Sequence, residues 1–530
     1  MDYSNIKKIS ILGIGGKGAY YIARFLSLLG VEIIGYDLKK NENTEKLEEL
    51  GVVINYRNPN VGEHLSGDFY LYSNDLPQEI QAVIFKDNKD IVGYEVGHFY
   101  HQITNDYESD NMNDAVKEAF LKSNIAPLYF VDQSKIKYIG VTGTDGKTST
   151  CTMVYHILKE AGYKPALITT VSCIIDDKEL DTGFLHTTTP SSQEIAEIIK
   201  IAEKENCTHI IVESTSHGLE QGRLAGLEFD EVGFTNITSE HLDYHKTWEN
   251  YCNAKSLLIS NHLKPGGITV LNKDDKSFDI LLNIATNYLT YSRCVNADLR
   301  SENIEETDSE LIFTLFSKPE KYEVRISILG EYNVSNFMCA TLLCMQEGVS
   351  VENCVKYIST FSTVAGRMQV LQEAPFKVII DYAHTPNALF EVLSSLNKHK
   401  TGGRIINVFG TAGHRDFYKR PMMGKISNEL ADVTILTAED PRLEKLSDIN
   451  DQIEKGWREG NNKNGTLIRF DDVNKNVENR RGAIKKALEI AQPNDIVIIT
   501  GKAHEKSLCF GQTEYPWNDI DETKLMLSSL

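Results

Sequence analysis

The stretch GVTGTDGKTST, residues 140–150, follows an apolar run and precedes a helical pattern. Gly143 and Gly146 permit a tight loop whose backbone N–H groups point inward. Lys147 can then bridge β- and γ-phosphates, and the Thr148 hydroxyl can ligate Mg2+. The string is not a strict Walker A motif, because Val141 stands where that pattern needs its first glycine. Its place between strand and helix still makes a nucleoside triphosphate the expected ligand. Two polar clusters follow, each at the end of an apolar strand. THIIVESTSHGLEQGRL carries Glu213 and His217, and EVGFTNITSEHLDYHKTWENYCNAK carries Asn236, His241, Asp243 and His245. A carboxylate and imidazoles at strand ends suit hard-cation coordination and phosphate orientation. Any one of these histidines alone reads as a polar loop residue; the two clusters together point to chemistry.

A second glycine turn opens the chain. In SILGIGGKGAYYIARFLSLLG, Gly13, Gly15 and Gly18 give GxGxxG with an extra Gly16, and VEIIGYDL ends a strand on Asp37, 24 residues after Gly13. This is a Rossmann-type half, in which glycines let the backbone approach a diphosphate and Asp37 can accept from a ribose diol. By itself it suits an NAD-dependent oxidoreductase.

Strand-length apolar runs alternate with helical patterns almost throughout, which implies parallel sheets built from βαβ units. The rhythm restarts three times, at KKISILGIGG, IKYIGVTGT and FKVIIDYAHT. The expectation is an α/β chain of three domains. Residues 1–135 form a Rossmann-like domain, 136–363 a central P-loop ATPase-like domain, and 364–530 a second Rossmann-like domain. Residues 290–330 alternate like short antiparallel strands and are expected as a small side sheet on the middle domain. The acidic run NDYESDNMND, residues 105–114, reads as a linker or a solvated helix face.

Bulk properties set the limits. A length of 530 residues suits about three domains, and 41% hydrophobic with 25% charged residues is ordinary globular composition. A net charge of −20 leaves no basic surplus for nucleic acid. Nine scattered cysteines show neither CxxC pairs nor metal spacing, and no apolar span reaches membrane length. A monomeric cytoplasmic protein acting on small molecules is expected, without membrane or nucleic-acid partners.

GTDGKT, HTTTPSS, ESTSHGLEQGR, FTNITSEHLDYHKTWENYCNAK, GEYNVSNFMCA, VAGRM, DYAHTPNAL, KRPMMG, EDPR and GKAHE occur in that order. The series resembles the Mur ligases of peptidoglycan precursor synthesis. Residues 136–530 are most like the member that adds the third peptide residue. The amino-terminal ILGIGGKGAYYIARFLSLLG and GYDL are closer to the member that adds the first.

The resemblance implies ATP-dependent amide formation through an acyl phosphate, ending in ADP and phosphate. It implies two Mg2+ ions, one held by Thr148 and Glu213, the second by His241 and a carbamylated Lys255, with Lys147 neutralising the moving charge. Gly143, Thr144, Asp145, Gly146, Ser149, Asn333, Asn336, Arg367, Asp381 and His384 would meet ATP. Gly13, Gly15, Gly16, Gly18 and Asp37 would hold a UDP-sugar in place of NAD, and Thr188, Thr189, Ser216 and Arg223 its peptide. Arg420, Glu439, Asp440, Arg442, Gly501 and Glu505 would bind the incoming amino acid. Arg442 suits the distal carboxylate of meso-diaminopimelate, which lysine lacks.

Several positions depart from the family's usual strings: Asp145 for asparagine or histidine, Glu439 and Asp440 for Asp-Asn, Ala503 for glycine, His414 for aspartate, and Gln369 for glutamate. Competing readings are a lysine-adding or muropeptide-recycling ligase, a folylpolyglutamate-synthase-like enzyme, an NAD-dependent oxidoreductase, and a catalytically silent binding subunit.

Overall fold

The computed structural model describes residues 6–14, 17–57, 68–72, 93–95, 127–180 and 188–529, with 3, 65, 99, 103 and 116; residues 239, 308, 401, 415 and 472–475 are excepted. Gly15, Gly16 and the acidic run at 105–114 lie outside the described residues.

Among these, the strands fall into three main sheets and one hairpin. The amino-terminal sheet is parallel, in the order Val53–Asn55, Glu32–Tyr36, Lys8–Leu12, Phe69–Tyr72, Gly93–Glu95. The Lys17–Leu28 helix buries Ala19, Ile22, Ala23, Phe25 and Leu26 against Ile9, Ile11 and Leu71. These helical positions recur at three- and four-residue spacing, which puts them on one face. Gly13 turns the chain at φ +76°, its N–H bonded to Tyr36 O at 2.8 Å, and Gly18 lies in the first helical turn.

The central sheet has eleven strands. Lys137–Thr142 lies parallel between His209–Glu213 and Phe229–Phe234. Both faces of this strand are covered, as its nearly unbroken apolar run requires. Ile139, Val141 and Ile211 face one cluster, while Tyr138, Ile210 and Val212 face the other. The antiparallel strands expected near 290–330 are Leu299–Glu306, Leu311–Ser317 and Glu320–Ile326. They extend the main sheet instead of forming a sheet of their own, joined through the pairs Tyr291–Leu299 and Ser292–Arg300.

The carboxy-terminal sheet has the order Gln369–Gln372, Lys377–Asp381, Ile496–Thr500, Ile405–Phe409, Val433–Leu436, Thr466–Arg469, with only its first pair antiparallel. Val378, Ile380, Val497 and Ile499 face one buried cluster and Ile379, Ile496 and Ile498 the other, the two-residue period of a sheet covered on both sides. No helix among the described residues is long and apolar enough to cross a membrane.

Candidate active site

The phosphate loop leaves the strand Lys137–Thr142 and feeds the helix Lys147–Glu160. Gly143 has φ +150° and Gly146 φ +84°. A Cβ at Gly143 would fall 1.8 Å from Thr235 Oγ1, and one at Gly146 2.3 Å from Asn336 Oδ1, so both positions require glycine. The loop is tied to the neighbouring strand end: Thr144 N donates to Asn236 O at 2.6 Å, and Asp145 N to Asn236 Oδ1 at 3.1 Å. Lys147 folds back, donating Nζ to Thr144 O at 2.7 Å. Ser149 is buried in the first helical turn.

Thr148 and Glu213 come from different strand ends and meet at 2.9 Å, with Thr148 Oγ1 donating to Glu213 Oε2. Arg367 reaches over from the carboxy-terminal part and donates Nη2 to the same hydroxyl at 3.1 Å. Lys255 is buried under the loop, its Nζ donating to Gly143 O at 2.6 Å. Burial, and next the charge of Lys147, hold its ammonium well below the usual lysine range. A neutral amine is the form that adds carbon dioxide.

His241 has φ +55°, and its ring packs 4.6 Å from that of His217. Burial first, then the neighbouring histidines His241 and His245, push the His217 imidazole well down. Glu240 stands 3.7 Å from His241 Nε2 and 3.2 Å from His384 Nε2, so one buried carboxylate faces both parts of the molecule. The Asp243 side chain lies outside the described part of the structure.

No group of three or more His, Cys, Asp or Glu side chains forms a ready metal cage among the described residues. Mg2+ takes one or two protein oxygens and completes its octahedron with phosphates and water. The donor pair Thr148–Glu213 has that chemistry.

The other expected contacts divide by place. Thr189 Oγ1 donates to Glu213 O at 2.9 Å and Arg223 Nη1 to Thr189 O at 2.9 Å, while Ser216 Oγ meets His245 Nε2 at 3.0 Å. Thr188, half-buried, precedes them. Thr189 and Arg223 are thereby linked to Glu213, and Ser216 opens the short helix that follows it. Asn336 Nδ2 donates to Asn333 Oδ1 at 2.9 Å, and the pair backs the loop at Gly146. Asp381 is buried and accepts Met368 N and Ala383 N, each at 2.7 Å. Burial raises its carboxyl, partly offset by the nearby Arg367. In the amino-terminal sheet, Asp37 Oδ1 accepts Leu38 N at 2.8 Å and Lys39 N at 3.2 Å.

The remaining residues gather at strand ends of the carboxy-terminal sheet. Asp440 accepts Lys502 Nζ at 2.9 Å and Cys509 N at 2.8 Å, and Lys502 also pairs with Glu505. Tyr382 OH donates to Glu505 Oε1 at 2.9 Å. Glu439 is buried against Gly501, and burial raises its carboxyl. Arg420 is engaged: its guanidinium holds Glu444 at 2.6 and 2.8 Å and Ala412 O at 3.0 Å. Arg442 differs. Its backbone has φ +54°; the Nε of both arginines is buried without a partner, but among the described residues nothing bonds the rest of the Arg442 guanidinium. A buried guanidinium nitrogen without an acceptor is costly unless something else supplies one.

Several organising residues carried no sequence signal. Glu444 locks Arg420, and Arg480 and Asp519 form a fully buried ion pair beneath the EDPR and GKAHE loops. Thr385 and Asn387 reach Asp145 from 240 and 242 residues away. Thr385 caps the Pro386–His399 helix.

Three family descriptions match the chain in order: Mur ligase family, catalytic domain, over residues 8–108; Mur ligase middle domain, over 141–344; and Mur ligase, glutamate ligase domain, over 366–503. The UDP-N-acetylmuramoyl-L-alanyl-D-glutamate–2,6-diaminopimelate ligase of Clostridium tetani is 38% identical over 441 residues, covering 82% of this chain and 86% of its own. A solved structure of a ligase with the same description has 26% identity and a TM-score of 0.52, covering 88% of this chain and 92% of that one. A pseudomurein peptide ligase type C from Methanothermus fervidus covers 99% of both chains with a TM-score of 0.55; at 18% identity it bears on the fold alone.

Proposed function

The chain belongs to the Mur ligase family, and on that premise we propose that it adds meso-diaminopimelate to UDP-N-acetylmuramoyl-L-alanyl-D-glutamate, consuming ATP. The observation that carries this reading is the meeting of Thr148 and Glu213 at 2.9 Å beside the phosphate loop, with Lys255 beneath it. In this reading residues 1–135 hold the UDP-sugar, 136–363 the ATP, and 364–530 the amino acid. The enzyme works as a monomer in the cytoplasm, where its nucleotide-linked substrate is made.

The acceptor carboxylate attacks the γ-phosphorus of ATP, the β–γ bridging bond breaks toward ADP, and an acyl phosphate forms. The amino group of the incoming amino acid then adds to the acyl carbon and loses a proton. Phosphate leaves with the carboxylate's former oxygen, and an amide remains. Little covalent work falls to the protein, so catalysis is positioning and charge neutralisation.

Lys147 releases Thr144 O to meet the phosphates, and Gly143 to Ser149 cradle them. Asn333, Asn336, Asp381 and His384 line the nucleotide's surroundings, while Arg367 brings a positive charge to Thr148 from the opposite side. Thr148 and Glu213 would hold one Mg2+, and His241 with carbamylated Lys255 a second; the ions supply charge neutralisation at the phosphates and the acceptor carboxylate. Thr188, Thr189, Ser216 and Arg223 orient the peptide, and Gly13, Gly15, Gly16, Gly18 and Asp37 the UDP-sugar. Arg442 offers its unpaired guanidinium edge to the distal carboxylate of diaminopimelate, within a pocket shaped by Glu439, Asp440, Gly501 and Glu505, with Arg420 supporting it from below.

The test is incubation with ATP, Mg2+, the UDP-linked dipeptide and diaminopimelate, with the product read by mass. A tripeptide nucleotide formed only when all four are present supports the reading. ADP formation independent of any amino acid overturns it. Preference for lysine over diaminopimelate would overturn the role of Arg442 and leave the ligase chemistry standing.

A further inference from the structure

A negative charge at Asp145, in a loop built to hold phosphates, is unfavourable unless something offsets it. The carboxylate is half-buried, and its partners come from outside the central sheet. Asn387 Nδ2 donates to Oδ2 at 2.9 Å, and Thr385 Oγ1 donates to Oδ1 at 3.2 Å. Both donors belong to the start of the Pro386–His399 helix, for which Thr385 is the N-cap. The same threonine hydroxyl accepts Ala388 N at 3.1 Å, so it is used once as donor and once as acceptor.

The shape of the loop does not depend on this side chain. Thr235 Oγ1 and Asn236 Nδ2 hold the Asp145 carbonyl at 2.6 and 3.1 Å, and Asn236 Oδ1 holds its N–H. The carboxylate is left to serve the helix. Further along, the same helix is held by two more acids of the central part. Ser395 Oγ donates to Glu306 Oε1 at 2.7 Å, and Lys398 pairs with Glu331 at 2.9 Å. A carboxylate at the helix N-terminus is also favoured by the helix dipole.

We propose that Asp145 is a positioning residue that ties the phosphate loop to the seating of the carboxy-terminal domain, through a two-donor socket formed by Thr385 and Asn387. In this arrangement both partners arrive as donors, and a carboxylate accepts from both at once without the Asn387 amide having to turn over. Asparagine would turn an NH2 toward one of them. The socket therefore gives the aspartate a purpose here: it anchors the carboxy-terminal domain to the phosphate loop without reshaping the loop. Its effect on turnover rests on the ligase reading; the contact does not.

The test is a polarity swap: Asp145→Asn, Asn387→Asp, and both together, with Asn387→Ala as a variant that leaves the phosphate loop untouched. Asn387→Asp sets two carboxylates against each other, and the double variant restores one donor facing one acceptor. Three quantities are read: kcat and KM for ATP, affinity for a fluorescent ADP analogue, and radius of gyration by X-ray scattering. Each single variant is expected to lower kcat about 10- to 100-fold, with affinity for the analogue changed less than about 3-fold. The radius of gyration should rise, and the double variant should regain most of both losses. A double variant no better than Asp145→Asn overturns the proposal, as does an Asn387→Ala enzyme with unchanged kcat and radius. A wild-type protein without turnover would instead refute the ligase reading, and scattering on the wild type and the four variants would still decide the socket.

Discussion

Removing the carboxylate of Asp519 should damage both stability and the amino-acid end of the site, through one buried ion pair. Arg480 and Asp519 are both fully buried. Arg480 Nε and Nη2 donate to Asp519 at 2.7 Å each, Nη1 donates to Ala438 O at 3.0 Å, and Nη2 to Thr500 O at 2.9 Å. Those two carbonyls immediately precede Glu439 and Gly501, the first residues of EDPR and GKAHE. Asp519 also accepts Ala503 N at 2.9 Å and Trp517 Nε1 at 2.8 Å. The pair therefore sets the height of both loops.

Asp519→Asn keeps the shape, removes the compensating charge and sets an NH2 against a donor. Breaking a buried pair from one side costs about 3–5 kcal/mol, because the remaining charge has no water to turn to. Urea unfolding at fixed pH reads the stability, following whichever transition belongs to the carboxy-terminal domain, and KM for the amino acid reads the loops. Near-neutral stability of Asp519→Asn, within about 1 kcal/mol, would refute the reasoning.

Three further outcomes follow from the same geometry. Lys255→Ala should lose roughly 100-fold in kcat, with partial rescue by added short-chain carboxylates; an active, unrescued variant would remove the carbamate from the account. Arg442→Lys keeps the charge but loses the planar fork, so KM for diaminopimelate should rise roughly 10- to 100-fold in steady-state assays, with kcat little changed. Asp495 is buried, which alone would raise its carboxyl, but bonds from Arg404 and Gln492 N outweigh this and hold it low. A lowered carboxylate contributes stability above its unfolded value near pH 4 and loses it as pH falls through the folded value. Unfolding curves of wild type and Asp495→Asn should therefore differ most above about pH 4 and converge in acid.

What could be read in advance was whatever depends on neighbours in the chain. The three strand–turn–helix restarts lie where Lys8–Leu12, Lys137–Thr142 and Lys377–Asp381 form strands, because burial on both faces writes an unbroken apolar run. Gly143 and Gly146 were legible as loop glycines, although the reason each must be glycine is a side chain far along the chain, Thr235 and Asn336. The seating of the antiparallel strands on the main sheet rests on two residue pairs and left no pattern to read. Arg420 and Arg442 look alike in sequence. Only tertiary contact separates them, since Glu444 occupies the two terminal nitrogens of Arg420 and no carboxylate does so for Arg442 among the described residues. Asp145 looked like a misplaced charge because its donors stand in another domain.

The central claim is transfer of the γ-phosphoryl group to the acceptor carboxylate before the amide forms. It is tested most directly with UDP-linked dipeptide whose reacting carboxylate carries oxygen-18. The account predicts that the phosphate released with each amide contains one labelled oxygen. Unlabelled phosphate, released in step with product, would contradict it.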